Sequence, residues 1–348
     1  MEIKIGKKVI GIDKPTFIVA ELSGNHNQDY KLAVKTIKAA KRAGADALKL
    51  QTYTADTITI DCDNKYFQIR HGTKWDGQTL HQLYEKAYTP WDWQPKLKKV
   101  AEKEGLILFS APFDITAVDF LEKMGVPAYK LGSPEINDIP LIEHMASKGK
   151  PMMISTGTAT LKEIKDAVAA CRRVGNKKII LLKCTSGYPT PLDEVNLNVL
   201  PDMAKRFKVL VGVSDHTLGI SVPIAAVALG ARVVEKHFIL DRKAGGVDSF
   251  FSLEPDEFKE MVKHIREVEK ALGKANYNLT PEMKKTRAFA RSLFATEDIK
   301  SGEVFTGKNV RSIRPADGLP PKDIKKVLGK KAKKDIKKGT PLSWGLIK

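Results

Sequence analysis

Eight short apolar runs recur through the first 273 residues, each followed by a polar break and then a segment of helical period. They read "TFIVAEL" (16–22), "DALKLQT" (46–52), "LILFSAP" (106–112), "AYKLGS" (128–133), "PMMIST" (151–156), "KIILLKC" (178–184), "VLVGVSD" (209–215) and "RVVEKHF" (232–238). Their apolar positions are nearly continuous, the pattern of strands covered on both faces of a parallel sheet. Helices are predicted between them. "DYKLAVKTIKAAKRAG" (29–44) ends on a glycine cap, "TLKEIKDAVAACRRVG" (160–175) starts with a Thr160/Glu163 capping box, and "EPDEFKEMVKHIREVEKALG" (254–273) is the last. Regular alternation of eight strands with helices predicts closure into a TIM barrel, an α/β fold; a doubly wound open sheet is the runner-up. Residues 53–89 break the rhythm with an aromatic-rich insertion after the second strand, where a barrel carries its catalytic face.

After Gly273 the pattern changes. A polar linker is predicted over 274–287, followed by a small β-rich module over 288–348 with extended segments broken by Gly and Pro. Within it "DIKSGEVFT" (298–306) is echoed by "DIKKGTPLS" (335–343), a weak two-fold repeat.

Charge sharpens the division. The chain carries a net charge of +18 over 348 residues, and Glu282–Lys348 holds 18 Lys/Arg against 7 Asp/Glu. The tail's lysines lack interleaved aromatics and show no helix-turn-helix or zinc pattern, so a solvated basic face is favoured over nucleic-acid binding. The N-terminus has no signal-peptide core, and no apolar stretch is long enough to span a membrane. Three cysteines (Cys62, Cys171 and Cys184) without CxxC spacing argue against a disulfide framework or a cysteine zinc site and point to a cytoplasmic location.

In a barrel, chemistry collects at the C-terminal strand ends. Those ends carry Glu21, with Asn25 and His26 beyond; Lys49 and Gln51; Ser110; Lys130 and Ser133; Ser155 and Thr156; Lys183, Thr185, Ser186 and Tyr188; Ser214, Asp215 and His216; and Glu235, Lys236 and His237. Lys49 and Lys130 alternate with apolar residues so as to point inward. With Ser133, Ser155 and Ser214 they suit a phosphate pocket, unless each merely pairs with Glu21 or Glu235. His216 and His237 end neighbouring strands, so their imidazoles can converge on a divalent metal, with Asp215 and Glu235 beside them. Asp215 either orients His216 or caps the following helix. His26, His71 and His81 fall in loops, and His144 and His264 in helices, where they carry less weight. The loop "GGVDSFFSLEP" (245–255) reads as a weak phosphate cradle or as a polar substrate contact through Asp248.

In combination, "FIVAELSGNHNQD", "ALKLQT", "AYKLGSPEINDIPLI", "MISTGTATLKEI", "LLKCTSGYPTP", "VGVSDHTLGI" and "VVEKHFILDR" resemble the sialic acid (nonulosonic acid) synthase family, and "ARSLFATEDIKSGEVFTGKNVRSIRPADGL" resembles the antifreeze-like SAF module that follows its barrel. "LQTYTADTITIDCDNKYF" and "WDGQTLHQLYEKAYTPWDW" are more similar to the pseudaminic acid branch than to the N-acetylneuraminate enzymes. The resemblance implies condensation of phosphoenolpyruvate with an open-chain N-acetylated amino sugar. It also implies a divalent metal (Mn2+, Mg2+ or Co2+) and a homodimer in which one chain's SAF module covers its partner's barrel mouth. By matching position, Lys49, Gln51, Lys130, Ser133, Ser155 and Ser214 are implied phosphate and pyruvyl contacts, and His216 and His237 metal ligands. Glu21, Tyr188 and Asp248 match sugar-contacting or acid/base positions, and Arg314 an arginine that reaches the sugar's acyl group. Ala111, beside Ser110, departs from a family hydroxyl, and Ser186 from an asparagine. An N-acetylneuraminate or legionaminic acid synthase is the competing reading within the family; another phosphoenolpyruvate-condensing barrel, a metal-dependent aldolase and a polyanion-binding protein are the more remote ones.

Overall fold

The computed structural model describes every residue except His71 and Thr185. It divides into two compact units, Met1–Gly273 and Lys274–Lys348. In the first, eight parallel strands close into a barrel in chain order. They are β1 (Phe17–Glu21), β2 (Ala47–Thr52), β3 (Ile107–Pro112), β4 (Tyr129–Leu131), β5 (Met152–Ser155), β6 (Ile179–Cys184), β7 (Leu210–Asp215) and β8 (Val233–His237). All eight runs read from hydrophobicity are these strands. Closure comes from β8 pairing with β1, which sets His237 opposite Glu21. At β7, Gly212 admits its neighbour: a Cβ there would lie 2.4 Å from the Val233 carbonyl oxygen.

The helices form where side chains can cap them. Asp29 accepts from the Lys31 and Leu32 amides at the start of Tyr30–Arg42. Thr160 and Glu163 exchange hydrogen bonds in a capping box that starts Leu161–Arg173. Each such cap is worth about 1 kcal/mol. Pro255 sits at the first position of Pro255–Leu272, where a missing amide costs nothing. The buried faces of these helices (Ala33, Ile37 and Ala40; Ile164 and Val168; Phe258, Met261 and Ile265) join the strands in one apolar core.

The hydrophobic pattern does not reveal an N-terminal hairpin of Glu2–Ile5 and Lys8–Gly11. Its Ile3, Ile5 and Ile10 are buried in the barrel's core. The Gly6 turn approaches Ile107, the first residue of β3, so the hairpin covers the end of the barrel opposite the strand C-termini. Among the described residues, no helix is long and apolar enough to cross a membrane.

The second unit has its own small core around Leu293, Phe305, Val310, Val327 and Leu342. Its regular sheet is limited to Ser292–Ala295 paired antiparallel with Val310–Ile313, and a short helix, Pro281–Arg287, occupies part of the predicted linker. The repeat is physical. Ile299 and Ile336 bridge each other; Asp298 accepts from the Lys338 amide and Lys337 Nζ, and Asp335 accepts from the Ser301 amide and Lys300 Nζ. Each half of the repeat thus ties down the turn of the other.

Candidate active site

A cavity of about 490 Å3 opens at the C-terminal ends of the strands. Its floor is built from side chains far apart in sequence. Lys49 Nζ donates to Glu235 Oε1 at 2.8 Å and pairs with Glu21 Oε2 at 3.2 Å. Lys130 Nζ donates to the same Glu235 oxygen at 3.0 Å, as does Ser214 Oγ at 3.0 Å. Both lysines and both glutamates are buried, so barrel closure alone makes their charges affordable. Burial would raise the Glu235 carboxyl, but Lys130 and Lys49 more than reverse this and hold it ionised. Burial lowers Lys130, with Lys49 beside it adding to the effect, whereas Glu21 and Glu235 raise Lys49 against the pull of burial. Glu21 differs from Glu235: burial and the Glu235 charge outweigh Lys49 and lift its carboxyl to about 7. Gln51 Nε2 bridges Glu21 Oε1 (3.0 Å) and Ser23 Oγ (2.9 Å), and Ser23 donates to Asp248 Oδ2 (2.5 Å).

The two strand-end histidines converge on one side of this floor. The ring centroids of His216 and His237 lie 5.1 Å apart. His237 Nδ1 is buried without a hydrogen-bond partner and sits 3.8 Å from Asp248 Oδ2. Burial first, then His216 and Lys49, hold the His237 imidazole well below its ordinary range, so it is neutral at pH 7. A neutral buried imidazole with an unused nitrogen, beside a second imidazole and a carboxylate, fits a divalent metal. Among the described residues, no three His, Cys, Asp or Glu side chains are already drawn close enough together to hold a metal ion. The rings of Tyr188 (4.6 Å from His216) and Phe251 (4.7 Å from His237) pack against the pair.

Hydroxyl groups line the same cavity. Ser155 Oγ and Ser186 Oγ are buried without partners, and Ser133 Oγ accepts from the Gly157 amide at 3.0 Å. Gly157 makes the crowding possible, because a Cβ there would lie 2.1 Å from Ser186 Oγ and 2.9 Å from Ser133 Oγ. The 53–89 insertion supplies the outer wall. Tyr53, Trp75, Leu83 and Tyr84 line the cavity, and Trp75 Nε1 donates to the Val247 carbonyl at 3.1 Å, tying the insertion to the loop after β8.

Comparison with known proteins follows the same division. Residues 36–277 match the NeuB family and residues 290–348 the SAF domain. The chain belongs to the NeuB family. It is 46% identical to the pseudaminic acid synthase of Campylobacter jejuni, over 96% of this chain and 97% of that protein. Identity to the N,N'-diacetyllegionaminic acid synthase of the same species is 38%, over 93% and 98% of the two chains. Among solved structures, the N-acetylneuraminic acid synthetase of Leptospira borgpetersenii, crystallised with citrate, superposes with a TM-score of 0.74 at 31% identity, covering 82% of this chain and 95% of that one. The family read from the sequence motifs is therefore the right one.

As a NeuB-family barrel, the chain brings together Gln51, Lys49, Lys130, Ser133, Ser155, Ser186, Tyr188, Ser214, His216, His237 and Asp248 around the cavity. Glu21 lies beneath them, reached through Lys49 and Gln51. Ser110 is a correction. Strand residues alternate sides, and Ala111 lines the cavity while Ser110 Oγ is buried behind it, 2.6 Å from Thr52 Oγ1. Asp215 does not hold His216: it accepts from the Thr217 amide (3.1 Å) and pairs at 2.5 Å with the fully buried Lys236. His26 is structural, lying 3.1 Å from Thr89 Oγ1 and pushed down to about 4 by burial. His81 lies 2.9 Å from an Asp56 oxygen and His144 2.8 Å from one of Asp119; His264 pairs with Glu260 and Glu267. Arg314 belongs to the second unit, directly after the strand Val310–Ile313, and His71 and Thr185 lie outside the described residues.

Sequence reasoning missed Glu135. It sits in the single turn Pro134–Asn137 after β4, lines the cavity, and has a buried Oε2 without a hydrogen-bond partner. Burial raises its carboxyl to about 7. The available signal was its place two residues beyond Ser133 in a polar strand-end loop. Cys184 is the second omission: its Sγ is 3.9 Å from His216 Nδ1. Burial pushes the thiol up, but His216 and Lys130 more than compensate and bring it to about 6.

Proposed function

We propose that the chain is a pseudaminic acid synthase: it condenses phosphoenolpyruvate with an open-chain 2,4-diacetamido-2,4,6-trideoxy-altrose to give a nine-carbon 2-keto acid and inorganic phosphate. One observation carries the chemistry. Two buried ammonium groups, partner-free serine hydroxyls and a histidine pair line a single cavity, so an anionic phosphate ester and a carbonyl acceptor can be held together. The branch rests on the higher identity to the pseudaminic acid synthase than to the legionaminic one.

In this reading Lys49 and Lys130, with Gln51, Ser133, Ser155 and Ser214, hold the phosphate and carboxylate of phosphoenolpyruvate. C3 forms the new bond to the acceptor's aldehyde carbon, and the aldehyde oxygen takes up a proton. Glu135, a carboxyl lifted to about 7, is suited to deliver that proton. Positive character at C2 is quenched by water, whose proton passes to Glu21, likewise lifted to about 7. The tetrahedral carbon then expels phosphate by cleaving its C–O bond, leaving the ketone. Asp248 and Tyr188 orient the sugar. His216 and His237 would hold the divalent metal, which supplies Lewis acidity toward the acceptor's carbonyl oxygen when bound. From the family resemblance we add a homodimer in which the SAF module, through Arg314, closes the partner's site.

The test is phosphate release from phosphoenolpyruvate in the presence of single acceptors. Release with the diacetamido-trideoxy-altrose and much less with N-acetylmannosamine supports the assignment. Preference for a diacetamido sugar of the legionaminic series or for N-acetylmannosamine would move the chain to another branch. No acceptor-dependent release would sink the synthase reading.

A further inference from the structure

Three donors expected to serve phosphate are already engaged in this cavity, and by one atom. Glu235 Oε1 accepts from Lys49 Nζ, Lys130 Nζ and Ser214 Oγ, at 2.8, 3.0 and 3.0 Å. The other oxygen of the same carboxylate, Oε2, is buried and accepts nothing. A carboxylate has about two lone-pair positions per oxygen, so Oε1 is oversubscribed while Oε2 is unused. Donors of strongly different chain position, drawn from β2, β4 and β7, converge on a point rather than spreading over the available acceptors. That is the geometry of an anion site closed upon an anion of its own.

We infer that Glu235 is a resident anion that stands in for the substrate's phosphate, surrendering Ser214 and part of the lysine hydrogen bonding when phosphate enters. The inference rests on the phosphate-handling reading above. Ser214 decides it, because a hydroxyl carries a single hydrogen. While that hydrogen is donated to Glu235, Ser214 has none for a ligand, so it can serve phosphate only by changing partner. The lysines have three N–H groups each and can reach a ligand while keeping one bond to Glu235. The stand-in has two consequences. It keeps two buried ammonium groups compensated between turnovers, which burial would otherwise penalise severely. It also places a negative charge against the incoming phosphate, which weakens binding of the phosphate product as well as of the substrate and so favours its release.

Isothermal titration of inorganic phosphate into the full-length protein tests this with three proteins: wild type, Ser214→Ala and Glu235→Gln. The expected results are that Ser214→Ala weakens phosphate about tenfold or more, the loss of one bond to a charged ligand. Glu235→Gln, which removes a unit charge beside the ligand while conserving shape, tightens it about tenfold or more. Wild type that binds no phosphate would overturn the phosphate reading itself. If wild type binds but Ser214→Ala binds equally well, the hydroxyl never leaves Glu235 and only the present inference falls. It falls likewise if a folded Glu235→Gln binds phosphate no more tightly than wild type. If a thermal melt shows that Glu235→Gln does not fold, Ser214→Ala, which disturbs no charge, decides alone.

Discussion

Glu21 gives the most quantitative consequence of the site's electrostatics. Its carboxyl is raised from 4.5 to about 7 by burial and by the Glu235 charge. The folded protein therefore holds a proton on Glu21 between about pH 4.5 and 7 that the unfolded chain releases. Where the native state binds more protons, stability falls as pH rises. Below about 4.5 the group is protonated in both states and costs nothing; above about 7 it is ionised in both and the full cost is present. A shift of about 2.5 units corresponds to roughly 3 kcal/mol, at 1.36 kcal/mol per unit. Glu21→Gln keeps the shape and the contact with Gln51 but cannot ionise. Urea unfolding of wild type and Glu21→Gln, followed by tryptophan fluorescence at pH 5, 6, 7 and 8, measures the difference between the two profiles. Part of this is already present at pH 5, so the variant should gain on wild type by about 2–3 kcal/mol between pH 5 and pH 8. Parallel stability profiles would refute the assignment of a perturbed carboxyl to Glu21.

Other consequences are more local. Asp215→Ala leaves Lys236 as an uncompensated buried cation and should cost about 3–5 kcal/mol in unfolding free energy, yet leave metal affinity measured by calorimetry unchanged, since the Asp215 carboxylate is bonded to Thr217 and Lys236 and not to the His216 ring. Ser110→Ala removes a buried hydroxyl contact with Thr52 and should cost about 1 kcal/mol in a thermal melt, with kcat/KM for phosphoenolpyruvate within about twofold of wild type. His216→Ala and His237→Ala should each abolish the stimulation of turnover by added Mn2+, and titration calorimetry should register the lost binding directly.

Much of this architecture was readable in hydrophobic order because barrel strands must be apolar on both faces. The Thr160/Glu163 capping box was readable for a similar reason, since its donors and acceptors are local in sequence. The N-terminal hairpin was not, as four-residue strands such as Glu2–Ile5 are too short to display a period. The strand-end rule located nearly every cavity residue, but it does not say which side of the sheet each faces. Ser110 and Ala111 are adjacent, and only the register against β2 decides that the alanine looks inward. Glu235 shows the deeper limit. Strand-end position allowed it to sit beside the histidines or to pair with the inward lysines, and the second holds: Lys49 and Lys130, 186 and 105 residues away, both meet it, and only barrel closure decides that they share one of its oxygens. Glu135 escaped because a carboxylate in a polar loop looks solvated until burial strips its water. The His216–His237 pair was legible because two equivalent strand ends became neighbours as soon as eight strands were counted.

Mass spectrometry of the product formed from phosphoenolpyruvate and 2,4-diacetamido-2,4,6-trideoxy-altrose, with released phosphate counted in the same reaction, tests the central claim most directly. A single product equal in mass to the acceptor plus pyruvate, with one phosphate liberated per molecule formed, is the predicted result. Pyruvate released without a new carbon–carbon bond, or a product that retains the phosphoryl group, would contradict it.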